Sequence, residues 1–593
     1  MDTARYVVDA LERAGVRHIV VAPGSRSAPL VYALAEAEAD GRITTHVRID
    51  ERVAGFTALG LAQGSGSPAA VLTTSGTAVG NLMPAVMEAN HAGTALLVLS
   101  ADRPAELRGT GANQTTAQLD LFGEHVRFAT DVAAGTDPTS AIATALSAAR
   151  GRLEGIPAGP AQVNLSFRDP LTPALDGSEW ERLMPVVDVP VDEPVSVIEP
   201  VETPSGPVVG HDPVIEPVET TNGRPPLPSS SHRTVVLAGH DAGPAAEWFA
   251  RTLGLPLLAE PSSNARFGPN AVGPYRLLLE KFGPDSAQPI ERVVVFGRPT
   301  LSRPVARLLA RTDVERALYL PHPVAWFEAG RRPELVLTQW DQVVGFAGHG
   351  PDGWLAAWQE AAGLAEAALD AVLAEAAVPG TLSGPAVARL VWERIQRDEQ
   401  DGTPGNFMLG SSNPVRDVDL AGRPAAGLPA AGESGSLVRT FANRGLAGID
   451  GTLATATGIA LGTGAPARVL LGDVTFLHDA GALLLGTGEP AADVQVIVLN
   501  DAGGGIFSVL EHGALAQAPN YAAAVERFFG TPHAVDVAAL AAAYGWRHTV
   551  ARTTAELTEA LEAPVAGRSI VEVAATRDGL RDLHARIHKA LTL

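Results

Sequence analysis

Leu470-Leu-Gly472-Asp473-Val-Thr-Phe-Leu-His478-Asp479 and Val494-Gln-Val-Ile-Val-Leu-Asn500-Asp501-Ala-Gly503-Gly-Gly-Ile506-Phe507 are two apolar runs, each ending in small polar residues. The spacing leaves room for a crossover helix between them, which is the grammar of a βαβ unit. Ligands of open α/β sheets bind outside strand C-termini. Asp473 and Asp501 place oxygens there, and the glycines let backbone groups approach closely. Hard oxygen donors beside a glycine-rich turn suit Mg²⁺ carrying a diphosphate. Each piece taken alone is an ordinary turn former. The ordered pair together with Gly503–Phe507 favours the cation–diphosphate reading.

The same grammar recurs outward from this stretch. Short apolar runs at 18–22, 44–49, 69–73, 95–100 and 161–165 predict strands, with helices over 3–14, 53–63, 79–90 and 141–154. The first strand ends in Pro23-Gly24-Ser25-Arg26-Ser27, the third in Thr74-Ser75-Gly76-Thr77 and the fourth in Ala101-Asp102-Arg103-Pro104. Strand–turn–helix repeats of this kind predict a doubly wound parallel sheet. Residues 186–232 then break the pattern. They are rich in Pro, Val and Glu and carry Val-Ile-Glu-Pro-Val-Glu-Thr twice, at 197–203 and 214–220. Frequent prolines oppose helix and central strand, so an extended low-complexity insertion is expected. A second α/β pattern occupies 233–375, and a third occupies 376–593, with strands expected at 406–409, 435–438, 469–471, 494–499 and 569–573.

The chain has 593 residues, enough for roughly three to four domains of about 150 residues each. The formal net charge of −22 disfavours nucleic acid and anionic membrane as partners. The absence of cysteine excludes disulfides, thiolate metal sites and a cysteine nucleophile. No apolar run is long enough to span a bilayer, and the N-terminus lacks the order of a signal peptide, so a cytoplasmic location is expected. Lys281 and Lys589 are the only lysines; arginine supplies nearly all the positive charge.

Glu51 is expected where a strand becomes a helix. A helix-start acid is favoured there by the macrodipole alone. Ile49, Ala54, Gly55 and Phe56 around it imply burial, which raises a carboxyl pKa and equips it to share a proton with a ring nitrogen. Arg26, Arg103, Arg416 and Arg444 fall in glycine-rich or strand-end turns. Four such arginines on an acidic chain point to a polycarboxylate substrate. His478, Asp479 and Arg303 are weaker candidates. The chain carries no zinc-protease helix motif, no P-loop and no dinucleotide glycine fingerprint after its first strand.

Ala22-Pro-Gly-Ser-Arg-Ser27, Ile49-Asp-Glu-Arg52, Thr73-Thr-Ser-Gly-Thr-Ala78, Ser100-Ala-Asp-Arg-Pro104, Gly111-Ala-Asn113-Gln114, Asn443-Arg-Gly-Leu-Ala-Gly-Ile-Asp-Gly451 and Gly503-Gly-Gly-Ile-Phe507 together resemble the thiamine diphosphate-dependent enzymes of the decarboxylase and acetolactate synthase type. The likeness is greater to the carboligase branch that serves menaquinone biosynthesis. It implies three doubly wound parallel-sheet domains: a pyrimidine-binding domain (1–185), a central domain (233–375) and a diphosphate-binding domain (376–593). It implies decarboxylation of 2-oxoglutarate on thiamine diphosphate and conjugate addition of the product unit to isochorismate. By the resemblance, Glu51 acts on the aminopyrimidine, Thr74, Ser75, Gly76 and Thr77 line that ring, and Gly472, Asp473 and Ile506 contact the cofactor. Asp473, Asp501 and the Gly503 carbonyl would hold Mg²⁺. Arg416, Ser412 and Arg444 would lie near the succinyl carboxylate, and Ser25, Arg26, Arg103, Asn113 and Gln114 near isochorismate, with Arg303 reaching in from the central domain. The cofactor would lie between two subunits of a homodimer or homotetramer. One departure stands out: the broad family motif runs Gly-Asp-Gly to Asn-Asn, whereas this chain has Val474 and Asp501. The added charge leaves the choice between Mg²⁺ and Mn²⁺ open. Another 2-oxoacid carboligase, or a binding subunit without catalysis, are the rival readings; retention of Glu51, Asp473 and Asp501 argues against the latter.

Overall fold

The computed structural model describes residues 2–173, 228–328, 330–428 and 438–591. Residues 186–227 of the proline-rich insertion lie outside them. The described strands form three parallel sheets.

The first sheet contains β1 (His18–Val21), β2 (Thr44–Val47), β3 (Ala69–Thr73), β4 (Leu96–Asp102), β5 (Ala129–Val132) and β6 (Ala161–Ser166), in the order β2-β1-β3-β4-β6-β5. Side chains alternate across a strand. Ala70 and Leu72 of β3 therefore join Leu11, Leu34 and Leu146 on one face, while Ala69 and Val71 join Phe56, Leu59 and Val86 on the other. Both faces are covered by helices, which is why these strands read as continuous apolar runs.

The second sheet, β11-β10-β9-β7-β8, is built from β7 (Thr234–Ala238), β8 (Leu257–Ala259), β9 (Arg292–Phe296), β10 (Glu315–Tyr319) and β11 (Leu335–Leu337). Helix Trp354–Glu375 closes it, with Trp358 stacked on Phe282 at 4.0 Å. The third comprises β12 (Asn406–Leu409), β13 (Arg439–Phe441), β14 (Ala467–Gly472), β15 (Val494–Asn500), β16 (Arg547–Ala551) and β17 (Arg568–Ala574), in the order β13-β12-β14-β15-β17-β16. Counted from its own first strand, this is the order of the first sheet.

The two like sheets meet through equivalent helices. Glu51–Ser65 follows β2 and carries Thr57-Ala-Leu-Gly60-Leu-Ala-Gln-Gly64; Thr452–Thr463 follows β13 and carries Thr455-Ala-Thr-Gly458-Ile-Ala-Leu-Gly462. Their backbones touch. A Cβ on Gly60 would lie 2.0 Å from the Thr455 carbonyl oxygen, and one on Gly458 would lie 2.2 Å from that of Thr57. Any side chain larger than hydrogen would wedge the pair apart.

Several expectations shift. The crossover between β14 and β15 is not a full helix but a six-residue helix, Asp473–His478, followed by a short 3-10 turn at Ala480–Leu483. The strand expected at 435–438 is found at Arg439–Phe441, with 435–437 outside the described residues. The helix expected over 79–90 is two, Thr77–Gly80 and Met83–Ala92, with Pro84 in the first turn of the second.

Candidate active site

The strand order reverses between β1 and β3 in the first sheet and between β12 and β14 in the third, and the singled-out residues collect at these two switch points.

At the first, the turn after β1 packs on the turn after β3. A Cβ on Gly24 would sit 2.3 Å from that of Thr74, so only glycine fits. The Arg26 N–H donates to Thr74 Oγ1 (3.3 Å), and its guanidinium donates to the Phe167 carbonyl (3.0 Å). Buried Arg103 donates to Ser75 Oγ (2.8 Å), the Gln114 carbonyl (2.9 Å) and Asn113 Oδ1 (3.0 Å). Gln114, at φ +59°, donates its amide to the Ser75 carbonyl (2.9 Å). Arg26, Thr74, Ser75, Gly76, Arg103, Asn113 and Gln114 thus form one cluster. Ser25 and Thr77 are exposed on its two turns. Burial and then Arg103 lower the Arg26 pKa: the two cations face one another, an arrangement that an anion relieves.

The cluster rests on residues that sequence reasoning missed. Buried Gln118 accepts from the Gly76 N–H (2.7 Å) and donates to Asn164 Oδ1 (2.9 Å), and Asn164 donates to Asp102 (2.9 Å). Neither residue belongs to a recognisable motif; only the fold brings them together.

Glu51 is the first residue of its helix, capped by Asp50, whose carboxylate accepts from the Arg52 and Val53 N–H groups. Asn81 donates to Glu51 Oε2 at 3.2 Å. The close burial expected here is not found in the single chain: Glu51 is half-buried and Ile49 is 66% exposed. Ala54, Gly55 and Phe56 are buried as expected, but Val47 and Ile49 at the end of β2 are exposed, so Glu51 is covered on its helix side alone.

At the second switch point, Asp473 is buried at the start of its helix. Its carboxylate accepts from the N–H groups of Val474 (2.6 Å) and Gly503 (2.8 Å), and its Oδ2 lies 3.1 Å from His533 Nε2. Burial raises its pKa. Burial and then the Asp473 charge push Asp501 up to about 7. Two carboxylates that oppose one another's ionisation are a fitting pair for a divalent cation. Ala502 at φ +58° and Gly503 at φ +154° curl the chain around them, and a Cβ on Gly505 would meet Asp501 Oδ2 at 2.2 Å. Among the described residues no group of three or more His, Asp or Glu is placed to hold a metal ion. Ile506 and Phe507 are half-buried beside this cradle, Phe507 packing on Phe529 at 5.3 Å. His533 was missed because no motif surrounds it.

Ser412 has φ +78°, a strained value for a non-glycine residue. Its carbonyl accepts from Arg416 at 2.5 Å. Burial, then Arg444 and Arg276, lower the Arg416 pKa, so these three cations share one neighbourhood. Arg444 is 3% exposed and donates to Thr300 Oγ1 (2.8 Å) and the Thr300 carbonyl (3.1 Å) of the second sheet's domain. Arg303 does not join them. Its side chain is 67% exposed and ion-paired with Glu511 at 2.6 Å, at the rim of a cleft of about 790 Å³ that Arg416 also lines. His478 is exposed, and its carbonyl accepts from Arg52 at 2.9 Å. Buried Asp479 caps helix Thr452–Thr463 by accepting from Leu453 (2.8 Å) and Ala454 (2.9 Å).

One like sheet thus presents a carboxylate at a helix start and the other an acidic glycine cradle, and the family matches of both parts of the chain make it an enzyme of the thiamine pyrophosphate class. Residues 1–121 match the family described as the thiamine pyrophosphate enzyme N-terminal TPP binding domain, and residues 434–573 match its C-terminal TPP binding domain. The chain is similar over 97% of its length to the crystal structure of benzoylformate decarboxylase from Polynucleobacter necessarius, with TM-score 0.64, 18% identity and 99% of that chain covered. That likeness concerns the fold. A relative from Arthrobacter sp. (strain FB24) is 59% identical, covering all of this chain and 92% of its own length. One from Renibacterium salmoninarum is 57% identical (100% and 97%), and one from Nocardia farcinica is 41% identical (98% and 98%). All three are named 2-succinyl-5-enolpyruvyl-6-hydroxy-3-cyclohexene-1-carboxylate synthase. This chain belongs to that synthase family.

Proposed function

We infer that this chain, with thiamine diphosphate, decarboxylates 2-oxoglutarate and joins the remaining four-carbon unit to isochorismate, giving 2-succinyl-5-enolpyruvyl-6-hydroxy-3-cyclohexene-1-carboxylate and CO₂ for menaquinone biosynthesis. The observation that carries the reading is the full-length identity to synthases of that name. The two arginine clusters add chemical support, since both reactants are carboxylates.

The cofactor supplies the electron sink for loss of CO₂. The residues around it bind, orient and exclude water. Asp473, the Asp501 side chain and the Gly503 carbonyl would hold Mg²⁺ or Mn²⁺, with Gly472 and Ile506 against the diphosphate end. Glu51 would hold and pass a proton at the aminopyrimidine ring, which Thr74, Ser75, Gly76 and Thr77 line. Arg416, Arg444 and Ser412 would take the succinyl carboxylate. Arg26 and Arg103, with Ser25, Asn113 and Gln114, would take isochorismate, and Arg303 would act from the cleft rim. Ile506 and Phe507 would shield the reacting unit from water.

The domain roles follow: pyrimidine binding for 1–185, a central scaffold for 233–375 and diphosphate binding for 376–593. The exposed surroundings of Glu51 support a site completed by a second subunit, with a two-fold homodimer as the minimum and a homotetramer compatible with it. Among the described residues no helix is long and apolar enough to cross a membrane; a cytoplasmic location is part of the proposed reading.

The decisive experiment measures CO₂ release from 2-oxoglutarate with and without isochorismate. Product formation dependent on both substrates is expected. Turnover of pyruvate with no reaction of 2-oxoglutarate would defeat the assignment.

A further inference from the structure

Glu260 stands at the C-terminal end of β8, is 1% exposed and lies in the central domain, which carries none of the cofactor-binding turns. Its Oε1 accepts two backbone N–H groups, from Thr300 and Leu301, each at 3.1 Å. Thr300 turns its hydroxyl and carbonyl the other way, onto the guanidinium of Arg444. Two residues earlier in the same loop, Arg298 donates to the Gly445 carbonyl at 2.7 Å. From the opposite side, Glu88 of the first domain accepts from the Gly445 and Leu446 N–H groups, both at 2.7 Å. The 444–446 segment is therefore gripped by all three domains, and Arg444 can aim only where Thr300 lets it.

We propose that Glu260 is a positioning residue for the 2-oxoglutarate side of the reaction: it anchors the 300–301 backbone, and that backbone sets the direction of Arg444. The proposal rests on the reading of Arg444 as a substrate-carboxylate ligand. Two features fit a positioning role. The loop has no other carboxylate within hydrogen-bond distance of its Thr300 and Leu301 N–H groups among the described contacts. Burial, then Asp419, pushes the Glu260 carboxyl up to about 8 while Arg444 pulls it down, and glutamine keeps the side-chain carbonyl that accepts the two N–H groups.

The test uses steady-state kinetics of the full-length holoenzyme, with thermal unfolding alongside. Glu260→Ala is expected to raise the KM for 2-oxoglutarate about 10-fold, leaving the KM for isochorismate and the cofactor Kd within about 2-fold. Glu260→Gln is expected to restore the wild-type KM. Thr300→Val removes the hydroxyl that Arg444 uses, and Glu260→Ala with Thr300→Val together should cost less than the product of the two single effects, because both act on one path. KM is independent of the folded fraction. A Glu260→Ala protein with lower kcat at unchanged KM therefore overturns the proposal, as does strict independence of the two substitutions. Arg444→Ala separates this failure from the other. If it raises the 2-oxoglutarate KM while Glu260→Ala does not, only the positioning role falls. If it leaves that KM unchanged, the reading of Arg444 falls and takes the positioning role with it.

Discussion

The first and third sheets share one strand order and one pair of glycine-bearing helices, yet they carry different side chains at the same topological place. After its first strand each has a serine-containing turn with an arginine, Ser25-Arg26 in one and Ser412 to Arg416 in the other. After the third strand they diverge. The first sheet has Thr74-Ser75-Gly76-Thr77, a neutral turn held by amides and Arg103. The third has Gly472-Asp473, acidic and faced by Asp501. A turn without charge suits an uncharged ring, and one with two carboxylates suits a cation with its phosphates. One scaffold thus carries two kinds of strand-end turn that differ in a few residues, while the buried strands need only stay apolar.

Substitutions on matched positions can break or sharpen this comparison. The largest effect is expected from Glu51→Gln, which keeps size and removes the acid. Product formation should fall by about 10²- to 10⁴-fold with circular dichroism unchanged, and a fully active variant would refute the proton role. Next, Arg103→Ala should raise the KM for isochorismate and Arg416→Ala that for 2-oxoglutarate, each by about 10- to 100-fold, the range for a lost hydrogen bond to a charged group. Crossed effects, each arginine acting on the other substrate, would reverse the assignment of the two clusters. Gly60→Val and Gly458→Val test the shared helix pair. Each forces a side chain into a backbone contact and should cost roughly 1–3 kcal/mol of stability or more, visible as a lowered Tm. Equal losses would mark a symmetric seam.

The smallest expected effect concerns pH. Burial pushes Asp479 up to about 7 from an ordinary 3.8. A carboxyl with a raised folded-state pKa stabilises the fold fully at low pH, and that contribution is lost as pH rises through 7. The cofactor-free protein should therefore lose Tm between about pH 4 and 7, with no further loss from this group above that, and Asp479→Asn should show a shallower decline. An identical slope in the variant would remove Asp479 as the source.

The buried parts of the fold were legible because strands covered on both faces must be apolar throughout. Val494–Leu499 and Ala95–Ser100 show this without ambiguity. Two edge strands, β5 and β16, were not. Ala129–Val132 and Arg547–Ala551 alternate with solvent and mix small, polar and charged residues, so they carry no apolar run. The site divides in the same way. Arg26, Arg103, Asp473 and Asp501 sit in turns with strong local signatures. Gln118, Asn164, Glu260 and His533 act through partners 40 to 62 residues distant, and local sequence holds no trace of such pairings. The like helices at 51–65 and 452–463 are an intermediate case: their Thr-Ala-x-Gly-x-Ala-x-Gly letters are plainly repeated, but small residues look featureless until the backbones they bring together are seen.

That glycine seam also has a history in time. Helix Glu51–Ser65 is buried along nearly its whole length, and Ala454 belongs to its core. Its covering helix is synthesised roughly 390 residues later, which at about 5–20 residues per second is a wait of roughly 20 to 80 s on the ribosome. For that interval the nascent first domain presents a smooth, side-chain-poor face to the cell, and the last third of the polypeptide must arrive before the first third can finish folding.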